Sequence, residues 1–172
     1  SLITPWANIF LVGETHQELN GSEYQRMTLG DVKGMPPKYR PVEEKRAMHA
    51  ILEAHSRGLI RSCNNVGRGG LAVSLLKMIL DSEYGFKLDL TGAPGSIRST
   101  AEKLFSESAG RYLAEVTESN QHEFLEIMES HGMKTCELGL TVQERVIDFG
   151  EFKIPMEQAH HAYRSGLSKY LE

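Results

Sequence analysis

The sequence lacks the features that define several large classes of protein. It has no apolar run close to the roughly 20 residues that a helix needs to cross a bilayer, and it has no run of lysine and arginine. Its 19 basic and 23 acidic residues give a net charge of −4, which argues against a nucleic-acid-binding surface. Two cysteines, Cys63 and Cys136, are too few for a disulfide framework and indicate reduced thiols in a cytoplasmic protein. Membrane-spanning, nucleic-acid-binding and disulfide-rich classes are therefore disfavoured.

The sequence also offers no clear metal centre or nucleophile. Its seven histidines do not follow metal-ligand spacing, and the adjacent His160 and His161 point to different faces of a predicted helix. Cys63 ends a predicted strand and is interpreted as a small buried hydrophobe, with no histidine–carboxylate pair in the sequence to activate it. We therefore predict no metal ligand and no catalytic residue in this chain.

Length and composition indicate one globular domain. A chain of 172 residues buries about 70% of its unfolded surface, and its 40% hydrophobic and 24% charged residues are ordinary values. We assign residues 1–172 to a single domain. Because the sequence starts with Ser1 instead of methionine, we expect a fragment of a longer protein.

Apolar periodicity predicts interleaved helices and short strands. The strands are expected at 8–12, 59–63, 86–90, 111–116, 134–140, 145–149 and 152–154, with 134–140 and 145–149 forming a pair. The helices are expected at 42–57, 70–80, 99–104 and 119–131, with a last one after Pro155 that carries Met156, Ala159, Tyr163, Leu167 and Tyr170. This pattern indicates an α+β fold in which helices cover a mixed β-sheet.

A strand, a glycine loop and a helix follow one another between Leu59 and Leu80. The predicted strand stops at two asparagines, and an apolar helix starts at Leu71. Glycines let a backbone approach a ligand closely, and a helix N-terminus favours an anion such as phosphate. The loop is no Walker motif, because no Lys-Ser/Thr pair follows the glycines. It is either an anion site, with Asn64, Asn65, Gly67, Arg68, Gly69 and Gly70 as contact candidates, or a tight turn between two core elements.

Two further polar segments each allow a functional and a structural interpretation. Gly21, Ser22 and Glu23 precede Tyr24 in a long early loop. Their hydroxyl and carboxylate either contact a ligand or a magnesium ion, or form a serine-capped turn whose tyrosine anchors the loop. Later in the chain, the hydroxyls of Ser106 and Ser108 flank the Glu107 carboxylate. These three side chains either bind a polar ligand at the end of the sheet, or Glu107 pairs with Arg111 and holds the turn.

Taken in order, the three segments resemble a known family. Residues 21–24, 58–80 and 104–111 are similar to the family stretches G-G-S-E-Y, S-A-H-D-x-S-D/E-G-G-L-A and L-F-S-E-S-P-G-R. Residues 9–15 resemble the opening strand of the same domain. The chain is thus similar, from about residue 8 to residue 150, to the C-terminal domain of the aminoimidazole ribonucleotide synthetase superfamily. The closest likeness is to the last domain of phosphoribosylformylglycinamidine synthases.

The resemblance implies part of an ATP-dependent ligase of purine biosynthesis. In that family the enzyme requires magnesium and converts formylglycinamide ribonucleotide, glutamine and ATP into the amidine. The implied partners are the remaining domains of the same synthetase and a glutaminase subunit or domain that supplies ammonia. The chain would be the last of four domains, structural or nucleotide-contacting, because the family's catalytic histidine and magnesium loop lie in the other domain type. A homodimer of the isolated fragment is left open.

The chain departs from the family pattern inside the glycine loop. Asn64 and Asn65 stand where the family has His-Asp, and Arg68 stands where it has an acid before the glycine pair. Amides and a guanidinium do not replace carboxylates as magnesium ligands, although Arg68 is able to contact phosphate oxygens. The loop is then a metal-free anion contact or a site that has lost its ligand. Alternative interpretations are another superfamily member, of the aminoimidazole ribonucleotide synthetase, selenophosphate synthetase or thiamine-phosphate kinase type, and a non-enzymatic interaction module.

Overall fold

Seven strands form one mixed sheet in the computed structural model, which describes residues 4–168. The strands are β1 (Asn8–Val12), β2 (Ile60–Asn65), β3 (Gly85–Leu88), β4 (Tyr112–Val116), β5 (Thr135–Val142), β6 (Val146–Asp148) and β7 (Lys153–Pro155). Their order across the sheet is β2-β4-β1-β5-β3-β6-β7. All neighbours are antiparallel except β3 and β6, which are parallel.

Six α-helices accompany the sheet within the described residues. They are α1 (Glu23–Leu29), α2 (Pro41–Ser56), α3 (Gly70–Ile79), α4 (Thr100–Phe105), α5 (Gln121–Ser130) and α6 (Met156–Ser168), and a short 3-10 helix, Glu118–Asn120, precedes α5. The predicted α+β class is confirmed. None of these helices has both the length and the apolar character needed to cross a bilayer.

The two faces of the sheet are buried in separate apolar cores. On β1, Ile9 and Leu11 belong to the core that contains α3, α4 and α6, whereas Phe10 and Val12 belong to the core that contains α2 and α5. The ring of Phe10 lies 5.2 Å from that of Phe124 on α5. A strand buried on both faces needs an apolar side chain at every position, which explains the continuous I-F-L-V sequence.

The predicted pairing of residues 134–140 with 145–149 is wrong. The two strands exist as β5 and β6, but β3 lies between them and pairs with both. Gly85 permits this arrangement, because a Cβ atom at that position would lie 2.1 Å from the carbonyl oxygen of Val146. Periodicity detects strands but carries no information about which strands become neighbours.

The structure corrects two expectations around β2. The strand continues through Asn64 and Asn65 instead of stopping before them. Cys63 is exposed, not buried, because β2 is an edge strand of the sheet. Both cysteines are free, and they lie three strand spacings apart, about 14 Å, which is too far for a disulfide. In the last helix, Tyr170 lies outside the described residues.

Candidate functional site

One carboxylate joins the three segments that the sequence singles out. The Oε1 atom of Glu107 accepts a hydrogen bond from the backbone N–H of Glu23 at 2.9 Å and another from that of Gly69, also at 2.9 Å. Glu23 opens α1, Gly69 precedes α3, and Glu107 follows α4. The structure therefore brings segments that are 38 and 84 residues from Glu107 in sequence together at a single oxygen atom.

The glycine loop turns tightly to let α3 pack against α4. Gly69 and Gly70 adopt φ angles of +81° and +67°, which favour glycine, and the N–H of Gly70 donates to the carbonyl oxygen of Gly67 at 2.9 Å. A Cβ atom at Gly70 would lie 2.5 Å from the carbonyl oxygen of Leu104. The loop thus has the geometry of the tight turn between core elements.

The anion position at the start of α3 is taken by the protein itself. Gly69 is the N-cap residue of α3, and its N–H points at the carboxylate of Glu107. A negative group at this end of a helix is stabilised by the helix dipole. Glu107 thus supplies a negative group at this helix start through its bond with the N–H of Gly69, and phosphate binding by the loop stays a prediction.

The asparagines of the loop are also held by the fold. The side-chain amide of Asn64 donates to the carbonyl oxygen of Ser74 on α3 at 3.0 Å. The hydroxyl of Ser74 donates to the carbonyl oxygen of Asn65 at 3.2 Å. These bonds join β2 to α3, and they use the Asn64 side chain for packing the loop.

Two carboxylates near the loop, those of Glu23 and Glu107, already have partners within the chain. Glu23 forms ion pairs with Arg26 at 2.5 Å and with Arg68, and hydrogen bonds from these two guanidinium groups lower its pKa. Glu107 already accepts two backbone N–H groups. Magnesium requires carboxylate oxygens that are free to coordinate. Moreover, no three His, Cys, Asp or Glu side chains of residues 4–168 are grouped so that they could hold a metal ion.

Arg68 points to solvent and its partner is Glu23. Its side chain is 82% exposed, so its guanidinium forms a surface bridge to α1. Such exposed pairs contribute little to stability, about 0–1 kcal/mol. Of the predicted phosphate contacts in the loop, Arg68 and Asn65 are exposed to solvent, whereas the side chain of Asn64 is bonded to α3.

Ser106 and Ser108 face the interior instead of a ligand. Both residues are fully buried. The Ser106 hydroxyl accepts from the backbone N–H of Glu18 at 3.4 Å, and the Ser108 hydroxyl accepts from that of His16 at 3.0 Å. These bonds hold residues 16–18 against the 106–108 segment, and ligand contact by the two hydroxyls stays a prediction.

Arg111 is a buried cation that holds the turn without pairing with Glu107. Its side chain is fully buried, and it donates to the carbonyl oxygens of Ser106 and Ser108 at 2.5 and 2.9 Å and to the Thr15 hydroxyl at 2.8 Å. Burial lowers the pKa of the guanidinium to about 10, while the charge of Glu18 opposes this effect. The predicted Glu107–Arg111 pair is wrong, because the two side chains leave the turn toward different partners.

The first segment forms a capped helix start. The hydroxyl of Ser22 accepts from the backbone N–H of Gln25 at 3.2 Å, which is N-capping geometry. The ring of Tyr24 stacks on that of Phe105 with centroids 5.0 Å apart. Gly21 has a φ angle of +71°, and its N–H donates to the Gln25 side chain at 3.0 Å. The serine-capped turn anchored by a tyrosine is the arrangement in this structure.

A small pocket lies beside these segments. It has a volume of about 300 Å³, and its lining includes Glu44, Glu107, Arg68 and Arg111. The Oε1 atom of Glu44 is buried and has no hydrogen-bond partner among the described residues. Two carboxylates and two guanidinium groups thus lie in the same wall, and their formal charges balance.

Sequence reasoning missed the ion pair that closes the long early loop. Arg40 contacts the Glu18 carboxylate at 2.7 Å, and both side chains are largely buried. The backbone N–H of Lys38 donates to the same carboxylate at 2.9 Å. Burial alone raises the pKa of Glu18, but hydrogen bonds from Arg40, Ser108 and Lys38 outweigh it and lower the pKa to about 2. No sequence signal identifies this pair, because its members are 22 residues apart and lie on either side of α1.

We expect the Glu18–Arg40 pair to make the stability of the domain depend on pH. Because the folded pKa of Glu18 lies at about 2, below the ordinary 4.5, its contribution is complete above pH 4.5 and is lost as the pH falls toward 2. The loss should amount to about 2–3 kcal/mol. Urea unfolding between pH 2 and pH 6 should show Glu18→Gln losing this part of the pH dependence. The control, Glu144→Gln at an exposed site, should keep it. Equal pH profiles for both variants would contradict the assignment.

The chain is similar to known proteins over most of its length. The model of the family described as AIR synthase related protein, C-terminal domain, matches residues 8–149. The chain is 43% identical over 115 residues to phosphoribosylformylglycinamidine synthase subunit PurL of Thermococcus gammatolerans, which covers 67% of this chain and 16% of that protein. It is 32% identical over 168 residues to the subunit of the same name from Caldanaerobacter subterraneus, covering 95% and 22%. The chain therefore spans about a fifth of the length of these relatives.

Solved structures of Thermotoga maritima PurL share the fold. The complex with FGAR superimposes with a TM-score of 0.81 at 20% identity, covering 93% of this chain and 29% of that one. The complex with ATP superimposes with a TM-score of 0.75 at 19% identity, covering 93% of this chain and 26% of that one. PurLQS from the same organism superimposes with a TM-score of 0.76 at 19% identity, covering 93% of this chain and 27% of that one. At these identities the likeness establishes the fold.

Proposed function

The chain belongs to the family of AIR synthase related proteins, C-terminal domain, and from this we propose that it works as the last domain of a PurL-type phosphoribosylformylglycinamidine synthase. The complete enzyme would be an ATP-dependent carbon–nitrogen ligase that converts formylglycinamide ribonucleotide, glutamine and ATP into the amidine. Supporting this, relatives that carry the PurL name match up to 95% of the chain.

The observation that carries the role of the domain is the contact of Glu107 with Glu23 and Gly69. The protein's own carboxylate satisfies the donor at the start of α3, so the glycine loop serves to lock α1 against α3 and α4. We propose a structural role, in which this domain supports and positions the rest of the synthetase. No residue of this chain is assigned a catalytic step.

Cofactors and partners in this proposal belong to the complete enzyme. ATP would bind mainly through other domains, in keeping with the Thermotoga maritima PurL structure that is described as complexed with ATP. Magnesium would be held there too, because Asn64, Asn65 and Arg68 do not supply the carboxylates that magnesium prefers. A glutaminase would supply ammonia. Two widely separated free thiols suit a reducing compartment, and we place the enzyme in the cytoplasm.

A chimera tests the proposal. This chain would replace the matching region of Thermococcus gammatolerans PurL, and amidine formation from formylglycinamide ribonucleotide, ATP and ammonia would be measured. We expect the chimera to turn over. We expect the isolated chain to form no amidine, because this proposal assigns the catalytic groups to other domains. Substitution of Glu107→Ala in the chimera should reduce the rate at least tenfold, whereas Glu126→Ala, at an exposed site on α5, should not.

Two results would count against this function. Turnover by the isolated chain would refute the structural role. A chimera that folds with the thermal stability of the parent subunit and yet forms no amidine would refute the family role. The amidine assay measures turnover in both cases, and a calorimetric scan measures the thermal stability of the chimera.

A further inference from the structure

Residues 27–39 present apolar side chains to solvent at unusually high exposure. Met27, Leu29, Val32, Met35 and Tyr39 are between 48% and 83% exposed. We call these five side chains the outer surface. Single exposed apolar residues are common, but five within 13 residues form a local concentration, and large exposed apolar patches mark interaction sites.

The backbone beneath the outer surface is held in place by contacts that point inward. The N–H of Lys33 donates to the Gln25 side chain at 2.8 Å, and that of Lys38 donates to the Glu18 carboxylate at 2.9 Å. Between these bonds, Gly34 lies against Asn20. Residues 33–38 therefore run back alongside residues 18–25. The apolar side chains are displayed on a braced segment and do not belong to a loop that simply failed to pack.

Several charges next to the outer surface are paired inside the chain, whereas the exposed ammonium of Lys38 forms no ion pair within the described residues. Arg26 pairs with Glu23 at 2.5 Å, and Lys33 pairs with Asp31 at 3.1 Å. Arg40, at the end of the segment, pairs with Glu18 at 2.7 Å. An interface that excludes water disfavours unpaired charge, so these internal pairs suit a surface that becomes covered by an apolar partner.

We propose that the outer surface docks onto an apolar patch of a neighbouring domain of the same synthetase chain. This inference rests on the proposed function. The occupant is chosen because about four-fifths of the length of the PurL relatives lies outside the matched region, which leaves room for neighbouring domains in a complete synthetase. The surface is also joined to the interior, since α1 begins at Glu23, whose N–H is held by Glu107. Docking would therefore stabilise the same contact that organises the glycine loop.

Hydrogen exchange in the chimera tests the docking directly. Amides of residues 30–39 should exchange at least tenfold more slowly in the chimera than in the isolated chain. The double variant M27E/M35E should lose this protection in the chimera, because two carboxylates cannot enter an apolar contact without a large desolvation cost. The matched control is L52E, at a side chain on α2 that is 56% exposed and lies outside the outer surface. It should keep the protection.

The isolated chain provides a second readout that does not depend on the chimera. M27E/M35E should leave its melting temperature within about 2 °C, because both side chains are 83% exposed and surface substitutions rarely affect stability. The same variant should lower the fluorescence of a bound apolar dye at least twofold, and L52E should not. A drop of several degrees would overturn the proposal, since it would mean that these side chains pack within the domain.

The outcomes separate docking from function. Equal exchange of residues 30–39 in an active chimera would overturn the docking and leave the function standing. Slower exchange of residues 30–39 in an inactive chimera would support the docking and overturn the proposed function. A dimer of the isolated chain in sedimentation, abolished by M27E/M35E, would overturn the proposal by assigning the surface to a second copy of this chain.

Discussion

Replacing Arg111 with methionine should destabilise the domain by about 4 kcal/mol, because buried polar groups that lose a charged partner bear a large desolvation penalty. Arg111 is fully buried and donates to two carbonyl oxygens and one hydroxyl. Methionine fills similar space but supplies no donor, so the acceptors of Ser106, Ser108 and Thr15 would be left inside the protein without one. Urea unfolding followed by circular dichroism measures the loss.

Two further variants make the Arg111 experiment decisive. Arg111→Lys keeps the charge but cannot reach three separated acceptors at once, so we expect it to recover about half of the lost stability. It also provides a measurement if the methionine variant is too unstable to purify. Arg164→Met, at an exposed position on α6, should stay within about 0.5 kcal/mol of the parent. A methionine variant as stable as this control would show that the hydrogen bonds of Arg111 do not stabilise the turn.

Replacing Glu107 with alanine should cost about 3 kcal/mol, since hydrogen bonds to a charged group contribute roughly 1.5–3 kcal/mol each. The substitution removes the acceptor for both Glu23 and Gly69. Glu107→Gln keeps an oxygen atom in place but loses the charge, so its loss should be about half as large. Besides urea unfolding, hydrogen exchange at those two amides should accelerate, which reports on the contact itself and not only on global stability.

A surface carboxylate provides the comparison for Glu107. Glu126 pairs with His122 at 3.5 Å, and both side chains are well exposed, so Glu126→Ala should change stability by less than about 0.5 kcal/mol. If Glu107→Ala is no worse than this control, and the exchange of Glu23 and Gly69 is unchanged, the carboxylate does not organise the site. The structural role proposed for the domain would then lose its main support.

Local sequence signals predicted the elements well and their partners poorly. The capped start of α1 at Ser22 depends on neighbours three residues apart, so sequence spacing was enough to suggest it. The strands β5 and β6 were also recognisable, but their separation by β3 depends on contacts between distant parts of the chain. Cys63 was misjudged for the same reason, because only the sheet order makes β2 an edge.

The candidate site shows the same difference between local signals and contacts across the chain. The sequence allowed a Glu107–Arg111 pair that would hold the turn between a helix and a strand, although charges four residues apart are neighbours only on a helix. The residues between them form an irregular turn, so that spacing does not bring the two side chains together. Glu107 turns toward Glu23 and Gly69, and Arg111 turns into the core.

The sequence by itself determined the family, the α+β class and the positions of three polar segments, because these depend on local patterns and on residue identity. Only the tertiary structure decided what the segments do. An anion position at a helix N-terminus is visible in sequence as glycines before an apolar helix, but the group that occupies it is not. Here that group is Glu107, 38 residues after Gly69, and contacts across such distances are set by how helices and sheet pack together.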